Sequence, residues 1–241
     1  MSNYKTLKLM TYDIYIDDLD RLEFNRKVVI NTLNPHSYVT AKKDKIFQDA
    51  LHDSDVLIPD GSGIVLAAKL IEKKEIVKIA GADLQKHLLV KLNARKGKCF
   101  YMGSSESTLE KIKEHMSEEY PGINIQTYSP PYKEVLSEED NKIIVSQINK
   151  FEPDVLFVGM TAPKQEKWVY QHKEVLNANI ICSIGAVFDF YAGTVKRSSP
   201  FWVEKNLEWL PRLIHEPKRL WKRNFISTPL FLLDVMLYKF K

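Results

Sequence analysis

Cysteine is scarce. Cys99 and Cys182 are the only two in 241 residues, and both sit inside apolar, strand-like runs. Two isolated thiols exclude a disulfide framework, so the expectation is a pair of reduced core residues in a cytoplasmic protein. Zinc-type spacing is absent too, because the six histidines are scattered and none joins a Cys/His cluster. No stretch reaches about 18 uninterrupted apolar residues, so no spanning helix is expected. The opening, MSNYKTLKLMTYD, has neither the apolar core nor the small-residue cleavage site of an export signal. Repeats and low-complexity tracts are missing as well. Glycine numbers only nine, and neither a P-loop nor a complete GxGxxG fingerprint is among them.

What is present is a globular composition, 44% hydrophobic and 27% charged, in a chain long enough to bury a large core. Charge is uneven along it. Residues 196–241 carry ten Lys/Arg against four Asp/Glu, a net +6, which leaves −2 for residues 1–195 out of the total of +4. Three of the four tryptophans, Trp202, Trp209 and Trp221, lie in the same basic segment. The break predicts a domain over 1–195 and an appendage over 196–241. The stretch before Val28 is short and polar and suggests no role.

From residue 28 onward, short β-rich runs alternate with helical patterns. Strands are expected at 28–33, 55–58, 98–102, 124–128, 154–158 and 180–184, and helices at 45–52, 63–72, 108–119 and 138–149. The last of these helices is opened by Ser137 with Asp140 three residues on, a capping pattern. Such alternation predicts an α/β fold: a Rossmann-like, mainly parallel sheet with helices on both faces. Ligands of such sheets bind beyond the carboxyl ends of the strands.

Those ends carry small and polar residues: Thr32-Leu33-Asn34, Pro59-Asp60-Gly61, Met102-Gly103-Ser104, Gly159-Met160-Thr161 and Gly185-Ala186. Glycine lets a ligand approach the backbone, and the following helix points free N–H groups toward it. Gly61, Gly63, Gly103 and Gly185 are therefore candidate walls of a nucleotide or diphosphate pocket. Asp60 stands where a strand stops and a glycine turn begins, as a helix cap, a ribose or metal ligand, or a catalytic base. Asp18-Leu19-Asp20 and Asp53-Ser54-Asp55 look superficially like a metal-binding DxD, but their settings suit solvated carboxylates.

Three stretches narrow the choice: LIPDGSGIVLAAKL with KIAGADL, then VGMTAPKQEKWV, then IGAVFDFYAGTVKRSSPFWVEKNLEWLPRLIHEPKRLWKR. Together they resemble the WecG/TagA/CpsF family of bacterial glycosyltransferases, which attach sugars during assembly of wall teichoic acid, enterobacterial common antigen and capsule. The resemblance runs from about Val28 to Arg223. It implies a UDP-sugar donor, a polyprenyl-diphosphate-linked sugar acceptor at the inner face of the cell membrane, and inversion with no metal or cofactor. The transferred sugar would be N-acetylmannosamine or its uronic acid, and the acceptor N-acetylglucosamine.

Asp60 matches the family's Asp-Gly aspartate, which the resemblance makes the general base. Thr32 and Asn34 match its Thr-x-Asn and would touch a substrate sugar. Lys78 stands where the family usually has arginine, keeping the charge for a diphosphate but losing the bidentate fork. Asp83 either joins the site or caps the next helix. Lys164 would offset diphosphate charge, and Gln165 would hydrogen-bond a sugar or phosphate. Asp189, among aromatics after a strand-end glycine, is either a ribose ligand or a buried cap. Catalytic candidates are thus Asp60, Gln165 and Thr32, and the others bind substrate.

The basic segment alternates tryptophan and leucine with Arg212, Lys218, Arg219, Lys222 and Arg223. That pattern suits the interface of an anionic bilayer. An oligomer interface is the plainer reading, and nucleic acid is not expected because no RNA-binding signature accompanies the charge. Arg212, Arg219 and Arg223 would fold over the pocket and neutralise the UDP leaving group. The competing functions are a nucleotide-sugar-modifying oxidoreductase and a non-catalytic, membrane-recruited binding subunit.

Overall fold

The computed structural model describes residues 4–195 and 217–240, together with Trp202, Trp209, Leu210 and Leu213; at Lys218 and Arg219 it describes the backbone alone. Strands form from mainly apolar runs buried on both sides, with the half-exposed NIQTY segment added at the sheet edge. These are β3 (Val28–Leu33), β4 (Val56–Pro59), β5 (Lys98–Gly103), β6 (Asn124–Tyr128), β7 (Val155–Gly159) and β8 (Ile180–Ser183). Every neighbouring pair is parallel, in the order β4-β3-β8-β7-β5-β6. Such strands read as continuous apolar runs because helices cover both faces.

One face is covered by α4 (Gly81–Ala94), α5 (Glu106–Glu119) and α8 (Gly185–Tyr191), through Leu84, Leu88, Ile112 and Phe188. The other is covered in two patches. Over its centre lie α6 (Glu138–Phe151) and α7 (Lys164–His172), through Ile144, Ile148, Trp168 and Val169. Nearer β4 lie α1 (Pro35–Ala41), α2 (Lys45–His52) and α3 (Ser62–Ile71). Ser137 and Asp140 do form a capping box at the start of α6.

The N-terminal stretch is less idle than its polarity suggests. It forms an antiparallel hairpin, β1 (Thr6–Leu9) and β2 (Tyr12–Tyr15), and Leu9, Tyr12 and Ile14 share a core cluster with Leu33, Leu57 and Phe47. At the other end, α9 (Pro217–Trp221) runs through a π-helical turn (Lys222–Ser227) into α10 (Thr228–Lys239). Phe231 and Val235 of α10 are buried against Ile64, Ala67 and Ala68 of α3. Part of the basic appendage is therefore built into the core of the preceding residues.

The chain passes outward from β3 to β4, then crosses to the opposite half of the sheet, and returns to place β8 beside β3. Between β3 and β8 the connections diverge, and this divergence opens a crevice at the carboxyl ends.

Candidate active site

A cleft of about 370 Å³ occupies that crevice. Its floor follows from local sequence. Asn34 ends β3 and caps α1, its Oδ1 accepting from the His36 and Ser37 N–H groups at 3.0 and 2.9 Å. Pro35 at the first helical position needs no N–H there, so Asn-Pro is a ready helix start. The cap commits Oδ1 and leaves the Nδ2 amide as the polar group Asn34 can offer a ligand.

Asp60 is held at the neighbouring strand end, its N–H donating to the Leu33 carbonyl at 2.8 Å. Gly61 follows with φ +89°, a conformation that a side chain would strain, and takes the cap position of α3 without any side-chain cap. Asp60 is therefore not the cap of that helix. Gly63 lets α3 start against α1: a Cβ there would lie 2.5 Å from Pro35 Cγ. Lys78 is brought to the same edge by its neighbour, since Ile79 N–H donates to the Pro59 carbonyl at 3.0 Å. Ala80 and Ala82 continue this wall, and Ala186, Val187 and Phe190 of α8 form the wall facing it.

The C-terminal segment closes the remaining side with Trp209, Leu220, Arg223, Asn224, Phe225 and Thr228. His36 links floor and roof, its Nδ1 lying 2.8 Å from Ser227 Oγ. Burial, reinforced by the charge of Arg223, holds the His36 imidazole below its ordinary pKa, so it is neutral at pH 7. Among the described lining residues, Asp60 is the only carboxylate, and Lys78 and Arg223 are the fixed cations.

Of the expected site residues, Asn34, Asp60, Gly61, Gly63, Lys78 and Arg223 meet in this cleft. Arg212 lies outside the described residues, as does the side chain of Arg219. Thr32 sits half-buried two residues before Asn34, on the sheet face of Val28 and Ile30. Asp83 is in the first turn of α4, whose cap position is Ala80, so it is not the cap. Asp189 is on α8, half-buried, and its carbonyl accepts from Thr194 Oγ1 and Val195 N–H.

Thr32, Asp83 and Asp189 are not among the lining residues, and four more expected residues stand away from it for identifiable reasons. Gly103 is packed against Gly159, whose carbonyl a Cβ would overlap. Lys164 turns its ammonium to the Lys133 carbonyl. Gln165 is buried behind α8 with both amide ends engaged, Oε1 accepting from Gly185 N–H at 3.1 Å and Nε2 donating to Glu166 Oε1 at 2.9 Å. Gly185 accordingly starts the wall helix without lining the cleft itself.

His36, Asn224 and Thr228 had no part in the expected site. The Asn-Pro start of α1 was the available signal for His36, since it places the next residue in a first helical turn above the strand end. The DxD-like pairs have structural work: Asp18 caps a short 3₁₀ turn, Asp53 pairs with Lys173, and Asp55 accepts from Val29 N–H at 2.8 Å. Cys99 and Cys182 are buried free thiols, as expected.

Known proteins resemble this chain along most of its length. N-acetylglucosaminyldiphosphoundecaprenol N-acetyl-beta-D-mannosaminyltransferase of Bacillus subtilis (strain 168) is 34% identical over 224 residues, covering 92% of this chain and 85% of that protein. The protein of the same name from Bacillus spizizenii is 31% identical over 215 residues, with coverage of 89% and 81%. That of Staphylococcus aureus (strain MW2) is 25% identical over 206 residues, with coverage of 86% and 78%. Residues 5–241 match the family described as Glycosyl transferase WecG/TagA/CpsF family. With a parallel sheet, a cleft at its switch point and this match over nearly the whole chain, the protein belongs to the WecG/TagA/CpsF family of glycosyltransferases.

Proposed function

We propose that the protein transfers N-acetylmannosamine from a UDP-linked donor to N-acetylglucosamine carried on undecaprenyl diphosphate, inverting the anomeric carbon. The observation that carries the mechanism is Asp60, the one carboxylate among the described lining residues, in a cleft whose other described fixed charges are Lys78 and Arg223. Asp60 removes the proton from the attacking acceptor hydroxyl as its oxygen bonds to the anomeric carbon. The bond from that carbon to the UDP oxygen breaks on the opposite side, and Lys78 and Arg223 offset the charge on the departing diphosphate. A general base of this kind accelerates transfer by roughly 10²–10⁴. The names of the relatives support N-acetylmannosamine over its uronic acid and support the lipid-linked acceptor.

A lipid-linked acceptor implies work at a bilayer surface. Among the described residues no helix is long and apolar enough to cross a membrane. The reading is therefore a peripheral enzyme at the inner face, held there by residues 196–241.

Asp60→Asn tests the base. It should lower transfer at least 10²-fold while UDP affinity stays within about threefold, and near-normal turnover would remove Asp60 from that role. The donor is identified by offering a panel of UDP-sugars with synthetic lipid-linked N-acetylglucosamine and weighing the product by mass spectrometry. Addition of the uronic acid alone would overturn the sugar assignment.

A further inference from the structure

Behind the α8 wall lies a buried carboxyl that the transfer step does not use. Glu166 is 2% exposed, on the face of α7 turned to the sheet. Its Oε1 accepts from Gln165 Nε2 at 2.9 Å, and its Oε2 has no partner among the described residues. The sheet face that α7 covers carries buried polar residues among its apolar ones. Ile30 of β3 pairs with Cys182 of β8, so Asn31 and Ser183 follow in step and point to the side that α7 covers. Asn31 Oδ1 and Ser183 Oγ are likewise buried without partners. Buried, partly satisfied polar groups cost stability, so their presence here calls for a reason.

Gln165 supplies one. An amide side chain can flip, exchanging its donor and acceptor ends. Here both ends are engaged: Gly185 N–H, which can only donate, takes the carbonyl at 3.1 Å, and the Glu166 carboxyl oxygen anchors the NH₂ at 2.9 Å. Gly185 begins α8, which lines the cleft with Ala186, Val187 and Phe190. The clearance is small. A Cβ at Gly185 would overlap the Met160 carbonyl oxygen and come within 2.5 Å of Gln165 Oε1. From α8 the contact continues, because a Cβ at Gly81 would come within 3.0 Å of Val187 and 3.2 Å of Ile184. Gly81 starts α4, next to Ala80 and Ala82 of the other wall.

We propose that Glu166 is a positioning residue: its carboxyl fixes the Gln165 amide, which holds the Gly185 backbone and so sets the spacing of the two cleft walls. It acts through Gln165 and touches neither substrate. The inference rests on the donor reading of that cleft, and its test separates the two.

Glu166→Gln keeps an acceptor at the same place, whereas Glu166→Met removes it and leaves the Gln165 NH₂ unanchored, so that the amide is held only through Gly185 N–H. Amide hydrogen exchange at Gly185, read without ligand, should quicken at least tenfold in E166M and stay within twofold of the parent in E166Q. Titration calorimetry with UDP should show affinity at least tenfold weaker in E166M and within twofold in E166Q. With the lipid-linked acceptor, E166M should raise the KM for donor more than it lowers kcat. A purely structural Glu166 would lower thermal stability and leave these constants alone in the folded fraction. Gly185→Ala attacks the other end of the strut and should weaken UDP binding in the same way. It decides the matter if E166M does not fold. Unchanged Gly185 exchange in E166M, wild-type UDP affinity in G185A, or equal damage in E166Q and E166M would overturn the strut. Absence of UDP binding by the parent would instead overturn the donor reading, and Gly185 exchange would still judge the strut.

Discussion

Burying a carboxyl without a counter-ion favours its neutral form, and Glu166 follows that rule: burial pushes its pKa up to about 7, against a weaker opposing hydrogen bond from Gln165. The neighbouring ammonium groups are committed elsewhere, Lys164 to the Lys133 carbonyl and Lys167 to Asp44 at 2.8 Å. The folded state thus binds a proton more tightly than the unfolded chain does. Its contribution is full below about pH 4.5 and is lost as the pH rises through 7, a difference of about 3 kcal/mol. Glu166→Gln cannot ionise, so its thermal midpoint should exceed the parent's at pH 8 and match it more nearly at pH 5. Parallel stability curves for the two proteins would exclude a neutral Glu166. The same pair of residues marks a limit of the sequence reading. PKQEKW signalled a helix start with an amide able to bind sugar, but spacing alone does not say that the helix turns Gln165 and Glu166 inward. The place of Asp60 at the cleft was more legible, because it stands where a strand stops at a glycine turn and matches the family's Asp-Gly.

At the scale of elements, what was readable followed how each piece is buried. Five of the six sheet strands stood out because burial on both faces demands mainly apolar runs, whereas the edge strand β6 is half-exposed. The β1–β2 hairpin did not, since its strands are four residues long and mix lysine, aspartate and threonine with the buried positions. The seven residues of α8 are too few for a helical period to show. The composition break near residue 195 was visible, yet charge alone hides what the inner face of α10 does. Phe231 is fully buried, its ring edge-on to Tyr38 at 5.1 Å, and Asp234 pairs with Lys42 at 2.6 Å. Together with the His36–Ser227 contact, these pin the segment that roofs the cleft. Phe231→Ala should therefore cost about 3–5 kcal/mol of stability. It should also weaken UDP binding, because Arg223, Phe225 and Thr228 lie just ahead of the lost anchor. Loss of stability in chemical denaturation with unchanged UDP affinity would mean that the roof holds its place without α10.

Taken whole, the molecule carries a run of exposed apolar side chains on the same stretch of chain that roofs its cleft. The outer face of α10 shows Leu230, Leu233, Met236, Leu237 and Phe240 to solvent, and Trp221, Phe225 and Ile226 extend it toward the cleft. An apolar surface of this length on a helix end, flanked by Lys222 and Lys239 within a segment of net +6, has the character of an interfacial anchor. Its position matters for the chemistry. On the proposed membrane reading, the acceptor sugar on undecaprenyl diphosphate extends only a short way from the bilayer, and a cleft roofed by an anchoring segment would meet it without the lipid leaving the membrane. Leu233 and Leu237 are 56% and 57% exposed, so replacing both with glutamate should spare the core. The double variant should lose at least tenfold in co-sedimentation with anionic liposomes and in transfer to membrane-embedded acceptor. UDP affinity and transfer to a short-chain, water-soluble acceptor should stay within about twofold. If liposome binding is unchanged, the apolar face serves contact with another protein copy, and a concentration-dependent mass in the parent that is missing from the variant would show it.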